Sequence, residues 1–152
     1  MANDSKSARA VRVLVVEDYE PFRRVICTML DRMPGLQIVG DVSDEIEAVR
    51  KAEELQPELV LMDVGWPPLN GLMSVRRIRT LSPASKIIVA TIESSSEVVE
   101  AALSLGAAGY VVKTRIARDL PAAVDAVLGG GRFVSGGLSA QEFTTQATIT
   151  SI

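Results

Sequence analysis

The chain has 152 residues, 47% of them hydrophobic and 23% charged, with a net charge of −3 and no histidine. This composition fits one folded domain with a substantial core, and the acidic balance provides no basic surface for nucleic acid. Without histidine the chain offers no Ser-His-Asp triad, no histidine-ligated zinc and no phosphohistidine of its own. Its one cysteine, Cys27, forms no internal disulfide, and no apolar stretch approaches a membrane span. We therefore predict a cytoplasmic protein that makes no membrane contact.

Strand-like and helix-like segments alternate along the chain. After a flexible arm over residues 1–10, apolar runs alternate with helical patterns five times, which is typical of a parallel sheet with helices on both faces. The predicted strands cover residues 11–16, 36–42, 59–63, 86–91 and 109–113. Among the helices, the second is predicted to be capped by Asp44, the fourth to run from about Ser95 to Leu105, and the fifth to hold Pro121 in its first turn.

Four of the predicted strands end in polar residues that can bind phosphate or a metal ion. The pair Glu17-Asp18 follows the first strand, Asp63 the third, Thr91 the fourth and Lys113 the fifth. Open α/β sheets bind ligands at the carboxyl ends of their strands, so the pattern predicts one site. Three close carboxylates repel one another unless a cation neutralises them, and hard oxygen ligands suit Mg²⁺.

The predicted site suits phosphoryl transfer, which depends mainly on positioning and charge neutralisation. A carboxylate nucleophile that forms an acyl phosphate is a recognised chemical solution. We predict Asp63 as the phosphoryl acceptor and Lys113, together with the metal ion, as the neutralising charge. Thr91 would offer a hydroxyl that follows a phosphoryl oxygen.

These residues together resemble the receiver domain of bacterial two-component response regulators, the CheY-like superfamily. The resemblance covers about residues 11–128 and is carried by Glu17, Asp18, Asp63, Pro67, Gly71, Thr91, Tyr110 and Lys113. The stretch 119–135 is similar to the receiver end of NarL/LuxR-type regulators, in which a DNA-binding helix-turn-helix domain normally follows. The resemblance implies a flavodoxin-like (βα)5 doubly wound sandwich, with a five-stranded parallel sheet in the order 2-1-3-4-5.

The same resemblance implies how the site works. Asp63 would take a phosphoryl group from the histidine of a sensor kinase or of a phosphotransfer protein. The metal ion, Mg²⁺ or Mn²⁺, would be held by Glu17, Asp18, Asp63 and the backbone carbonyl of Gly65. Beyond this self-phosphorylation and dephosphorylation, no enzymatic activity is expected.

The resemblance also implies a switch and an output surface. Thr91 and Tyr110 would be the switch residues. Tyr110 taken alone is more typical of half-buried packing, so switching would be its second role. The fourth helix, fifth strand and fifth helix would form the output face and the interface of a homodimer. The residues predicted on that face are Val98, Val99, Tyr110, Arg115 and Arg118.

The predicted domain organisation has a receiver over residues 11–131 and a tail or linker remnant over 132–152. A helix-turn-helix output would need several tens of residues, so this chain alone is not expected to bind DNA.

Three positions depart from the family pattern. Ile92 stands where the family has a small residue, Thr114 stands where proline is frequent, and Gly65 offers the metal only its backbone. Ile92 would either border the channel to the acceptor or pack on the fourth helix. The alternative function is a pseudo-receiver, a protein-interaction module that is not phosphorylated.

Overall fold

The computed structural model describes residues 9–65, 67–92 and 95–135. The strands are β1 (Val11–Val16), β2 (Leu36–Val42), β3 (Leu59–Met62), β4 (Lys86–Thr91), β5 (Gly109–Val112) and β6 (Phe133–Val134). The helices are α1 (Glu20–Asp31), α2 (Glu45–Leu55), α3 (Leu69–Leu81), α4 (Ser96–Ser104) and α5 (Ile116–Leu128), with a 3₁₀ turn at Lys113–Arg115. The predicted arm, apart from residues 9 and 10, and the tail after residue 135 lie outside the described residues.

All six strands are parallel and lie in the order β2-β1-β3-β4-β5-β6. The α/β class and the order of the five predicted strands are confirmed, but the predicted number of strands is one too few. The sixth strand lies in the segment predicted as a tail, where Phe133 N donates to Ala108 O at 3.2 Å and Ser135 N donates to Tyr110 O at 2.9 Å. Two strand residues are too few to show an alternating pattern in the sequence.

The helices cover both faces of the sheet. On one face α2, α3 and α4 pack on residues of β1, β3, β4 and β5, and on the other face α1 and α5 pack on the alternate residues of the same strands. The continuous apolar runs of β3 and β5 follow from this arrangement, because every residue of these strands is buried. Among the described residues, no helix has the length and apolar character to cross a bilayer.

The ends of the helices show where local sequence signals hold and where one fails. Asp44 caps α2 by accepting from Glu47 N at 2.8 Å, and the Ser95 side chain caps α4. The prediction for Pro121 is wrong, since α5 begins at Ile116 and Pro121 lies inside the helix. Ile116 is buried, and its packing in the core extends α5 by one turn toward the 3₁₀ turn. This packing outweighs the loss of one backbone hydrogen bond, since Pro121 has no N–H to donate.

Candidate functional site

Three carboxylates and one ammonium meet at the carboxyl end of the sheet. Glu17 and Asp18 follow β1, Asp63 follows β3, and each offers an oxygen that lies within 4.8 Å of the others. Lys113, directly after β5, donates from Nζ to Asp63 Oδ2 at 2.7 Å, and its Nζ lies 2.8 Å from Glu17 Oε1. The structure therefore brings together four of the predicted site residues from three separate segments of the chain.

Glu17 is the buried member of the cluster. Its side chain is 0% exposed, and its Oε2 accepts from Tyr19 N at 3.1 Å. Its Oε1 is buried without a well-aligned hydrogen bond, although the Lys113 ammonium is close. Burial raises the pKa of Glu17 above its ordinary value; the Lys113 ammonium and the Tyr19 N–H oppose the shift, and the charge of Asp63 adds to it. The ionised form of Glu17 is thus under-stabilised by the protein alone.

Lys113 lies between the carboxylates and an aromatic ring. Burial lowers the pKa of Lys113, but its hydrogen bond to Asp63 and its ion pairs with Asp63 and Glu17 outweigh burial and raise the pKa above its ordinary value. On another side, Nζ lies 4.5 Å from the centroid of the Phe22 ring. Lys113 is therefore held as an ammonium in contact with the predicted phosphoryl acceptor.

The loop after Asp63 is shaped by two glycines. Gly65 has a φ of +73° and donates from its backbone N to Asp63 Oδ1 at 2.9 Å. Gly71, in the first turn of α3, lies so close to this loop that an added Cβ would be 2.2 Å from Val64 O. A side chain at Gly71 would therefore have to displace the segment that carries Asp63.

The oxygen-rich cluster fits a small divalent cation. Three carboxylate oxygens are close enough to share one ion, and Glu17 Oε1 still lacks a well-aligned partner. Gly65 lines the same cleft as Asp18 and Asp63, so its backbone lies beside the carboxylates. Carboxylate and backbone oxygens with room for water are the ligand set that Mg²⁺ uses in proteins.

The predicted switch residues lie on β4 and β5. Thr91 is buried at the end of β4 and is paired with Val112, the residue before Lys113. Tyr110 is fully buried, so the prediction that it is half-buried on the output face is wrong. Val99 is also in the core rather than on that face, because α4 turns it toward the sheet.

The remaining residues of the predicted output face are at least partly accessible. Val98 is half-buried, whereas Arg115 and Arg118 are exposed, and Arg115 Nε lies 3.2 Å from Asp119 Oδ2. The outer edge of β5 is covered by β6 over Gly109 and Tyr110. The accessible surface on this side of the domain is therefore made by α4, β6 and α5.

Ile92 and Thr114, two of the residues that depart from the family pattern, are both exposed. The side chain of Ile92 is 72% exposed, so the alternative that it packs on α4 is wrong. Thr114 is exposed in the 3₁₀ turn beside Lys113. Neither side chain is part of the acidic cluster.

Sequence reasoning missed two residues that contact the site or its strand. The ring of Phe22 meets Lys113, and a helical apolar pattern cannot show which side chain a ring contacts. Ser135 lies in the predicted tail, yet its Oγ accepts from Val112 N at 2.7 Å. A hydroxyl at the end of a short strand carries no distinctive signal in a single sequence.

Comparison with known proteins places this geometry in a family. The profile of the response regulator receiver domain matches residues 13–125. The response regulator GacA of Pseudomonas viridiflava is 36% identical over 125 residues, which are 82% of this chain and 58% of GacA. A methylesterase of Methanosarcina acetivorans that acts on protein glutamate is 39% identical over 112 residues, which are 72% of this chain and only 32% of that enzyme.

A solved structure agrees with the sequence matches. The two-component response regulator of the LuxR family from Aurantimonas sp. SI85-9A1 is 30% identical, with a TM-score of 0.80, and the match covers 91% of this chain and 99% of that one. This chain spans 58% of the length of the GacA relative, so the activity of a whole regulator does not transfer with the match. With the fold, the acidic cluster and the sequence match in agreement, the chain belongs to the response regulator receiver domain family of two-component systems.

Proposed function

We propose that Asp63 is the phosphoryl acceptor of this receiver and that its donor is the phosphohistidine of a sensor kinase or of a phosphotransfer protein. The observation that carries the proposal is the hydrogen bond from Lys113 Nζ to Asp63 Oδ2 within a cluster of three carboxylates. The ion pair places positive charge beside the carboxylate that would receive the phosphoryl group, whose oxygens carry negative charge. The chain has no histidine, so the phosphohistidine would lie outside this sequence.

In the proposed reaction a carboxylate oxygen of Asp63 attacks the phosphorus atom of the donor. A P–O bond forms as the P–N bond breaks, and the imidazole leaves with the electron pair of that bond. Lys113 stabilises the charge on the transferred group from the position it already holds. The Gly65 N–H, which donates to Asp63 Oδ1, fixes the orientation of the carboxylate before attack.

We propose that Glu17, Asp18 and Asp63 hold Mg²⁺ or Mn²⁺, with the backbone carbonyl of Gly65 as a further ligand. When bound, the ion would neutralise the carboxylates and the incoming phosphoryl oxygens. The buried Glu17 Oε1, which has no well-aligned hydrogen bond, supports this assignment. Binding of the ion should raise the melting temperature as the Mg²⁺ concentration increases. A melting temperature that does not change with Mg²⁺ would contradict the proposed metal site.

The proposed switch runs from the site into β5. Thr91 would follow the phosphoryl oxygens, and Tyr110, fully buried beneath, would respond within the core. A homodimer through the surface of α4, β6 and α5 would form on phosphorylation only if that surface binds its copy better in the phosphorylated state. Light scattering with and without a phosphoryl mimic tests this, and an unchanged monomer would rule it out.

The last part of the proposal concerns where the domain works, whether it binds DNA and what it catalyses. With one cysteine and a net charge of −3, the domain would work in the cytoplasm and would not bind DNA by itself. Its catalysis would be limited to gaining and losing its own phosphoryl group.

The deciding experiment is phosphorylation by acetyl phosphate in the presence of Mg²⁺, followed by mass spectrometry of the intact protein. We expect one phosphoryl group that hydroxylamine removes, as expected for an acyl phosphate. Asp63→Asn should abolish it, whereas Asp125→Asn, an exposed acid on α5, should leave it unchanged. A wild-type protein that stays unmodified at saturating donor and metal would favour the pseudo-receiver, and modification that persists in Asp63→Asn would move the acceptor elsewhere.

A further inference from the structure

The environment of Lys113 contains a group that the proposed chemistry does not use. Phe22 lies in the first turn of α1, and its ring centroid is 4.5 Å from Lys113 Nζ. An ammonium within about 6 Å of an aromatic centroid is attracted by the negative face of the ring. The Lys113 side chain is 13% exposed, so little water screens this attraction.

The ring matters because the carboxylates around Lys113 would have other partners during the reaction. Nζ contacts Asp63 and Glu17, and the same two carboxylates would help to hold a cation in the acidic cluster. Asp63 itself would change from a carboxylate to an acyl phosphate. The face of a phenyl ring has no lone pair for a metal ion, so a cation in the acidic cluster would not compete with Lys113 for Phe22.

We propose that Phe22 is a positioning residue that holds the Lys113 ammonium at the acceptor while Asp63 and the metal ligands change partners. The inference rests on the proposed function of Asp63 and extends it to a residue outside the acidic cluster. The competing interpretation is that Phe22 only packs, since it also contacts the core between α1, α5 and the sheet. The two interpretations differ in whether the electrons of the ring, or only its volume, are needed.

A series of ring substitutions at position 22 separates volume from electrons. Phenylalanine with one, two and three fluorine atoms keeps the shape of the ring while progressively weakening the negative charge on its face. We expect the phosphorylation rate at saturating acetyl phosphate and Mg²⁺ to fall stepwise along this series. Phe22→Leu should lower that rate about threefold to tenfold, the range of a partly desolvated cation–π contact, with the KM for acetyl phosphate within about twofold. Phe22→Tyr, which keeps the aromatic ring, should keep the phosphorylation rate of the wild type.

A control variant and a second measurement protect the test from a general loss of stability. Met29→Ala removes apolar contacts from the same helix and the same core cluster, so it should lower the melting temperature and leave the rate unchanged. In proton–nitrogen spectra, the ring current should shift the Lys113 ammonium signal in the wild type and in Phe22→Tyr, with and without Mg²⁺. Phe22→Leu should lose the shift.

The possible failures can be told apart. If the wild type is not phosphorylated, the proposed function fails, and the ammonium signal still decides whether the ring holds Lys113. Equal rates for the fluorinated series, for Phe22→Leu and for the wild type would overturn the positioning role. An ammonium shift that disappears when Mg²⁺ is added would overturn it as well, because Lys113 would then have left the ring.

Discussion

Replacing Glu17 by glutamine should stabilise the metal-free domain. The change removes a buried negative charge whose Oε1 has no well-aligned hydrogen bond, while keeping nearly the same shape. It also removes an ion pair with Lys113, so two effects compete. The direction of the Glu17 pKa decides between them: burial raises that pKa despite Lys113, which means that the folded protein disfavours the ionised form.

The pH dependence follows from the same shift. Because the pKa of Glu17 is higher in the folded state than its ordinary value of 4.5, the group contributes stability that is complete below pH 4.5. That contribution is lost as the pH rises through the raised pKa. Near pH 7 we therefore expect Glu17→Gln to exceed the wild type by about 1–2 kcal/mol in the free energy of unfolding, within the range for a poorly satisfied buried group. For a domain of this size, each kcal/mol raises the melting temperature by about 2–4 °C.

Magnesium should reverse the order of stability, so that the wild type becomes more stable than Glu17→Gln. An ion that binds only the folded state at about 100 times its Kd adds roughly 2.7 kcal/mol, and a neutral amide in place of Glu17 binds Mg²⁺ more weakly. Thermal unfolding of both proteins in EDTA and in Mg²⁺, from pH 5 to pH 8, measures the free energy in all four states. Glu20→Gln is the matched control, since it removes an exposed charge, paired with Arg24, from the adjacent turn.

Two results would contradict these expectations for Glu17. If Glu17→Gln lowers the melting temperature in EDTA near pH 7, the pairing with Lys113 outweighs the burial of the charge. If the two proteins gain equally from Mg²⁺, Glu17 is not among the metal ligands. Glu20→Gln should follow the wild type in both solutions.

Three further outcomes are expected. Gly71→Ala should lower the free energy of unfolding by about 1–3 kcal/mol and slow phosphorylation, because its Cβ would meet Val64 O at 2.2 Å; urea unfolding and the acetyl phosphate assay measure both. Ser135→Ala should speed amide hydrogen exchange at Val112, whose N–H now donates to Ser135 Oγ, and unchanged exchange would show that the bond does not hold β5. Ile92→Ala should change stability by less than about 0.5 kcal/mol because the side chain is 72% exposed, and if Ile92 borders the route to Asp63 the variant should gain and lose phosphate faster than the wild type.

The convergence of the site could be predicted because it depends on topology rather than on side-chain detail. Parallel strands bring their carboxyl ends to one edge, so Asp63 and Lys113, 50 residues apart in the chain, meet once the sheet forms. The glycine at position 71 could also be predicted to matter for the site. Gly71 belongs to the family pattern, and its close approach to Val64 supplies a physical reason for a residue without a side chain.

What could not be predicted depends on packing at single positions. A sequence shows that Glu17 follows an apolar strand, but not that its carboxylate is fully buried and under-bonded. Tyr110 was predicted to be half-buried, yet it is fully buried in β5. The short β6 pairs only with Gly109 and Tyr110, so its stability depends on an existing sheet edge rather than on local propensity.

The charge balance of the cluster links its chemistry to β5 and β6. When all groups are ionised, three carboxylates face one ammonium, which leaves the excess negative charge that one divalent cation would balance. Converting Asp63 to an acyl phosphate adds further negative charge on the group that Lys113 already contacts, so the pull on Lys113 should increase. Lys113 directly follows Val112, and the Val112 amide is held by Ser135. Any displacement of Lys113 therefore acts first on the bond between β5 and the chain that follows β6, which is the bond that amide exchange in Ser135→Ala would measure.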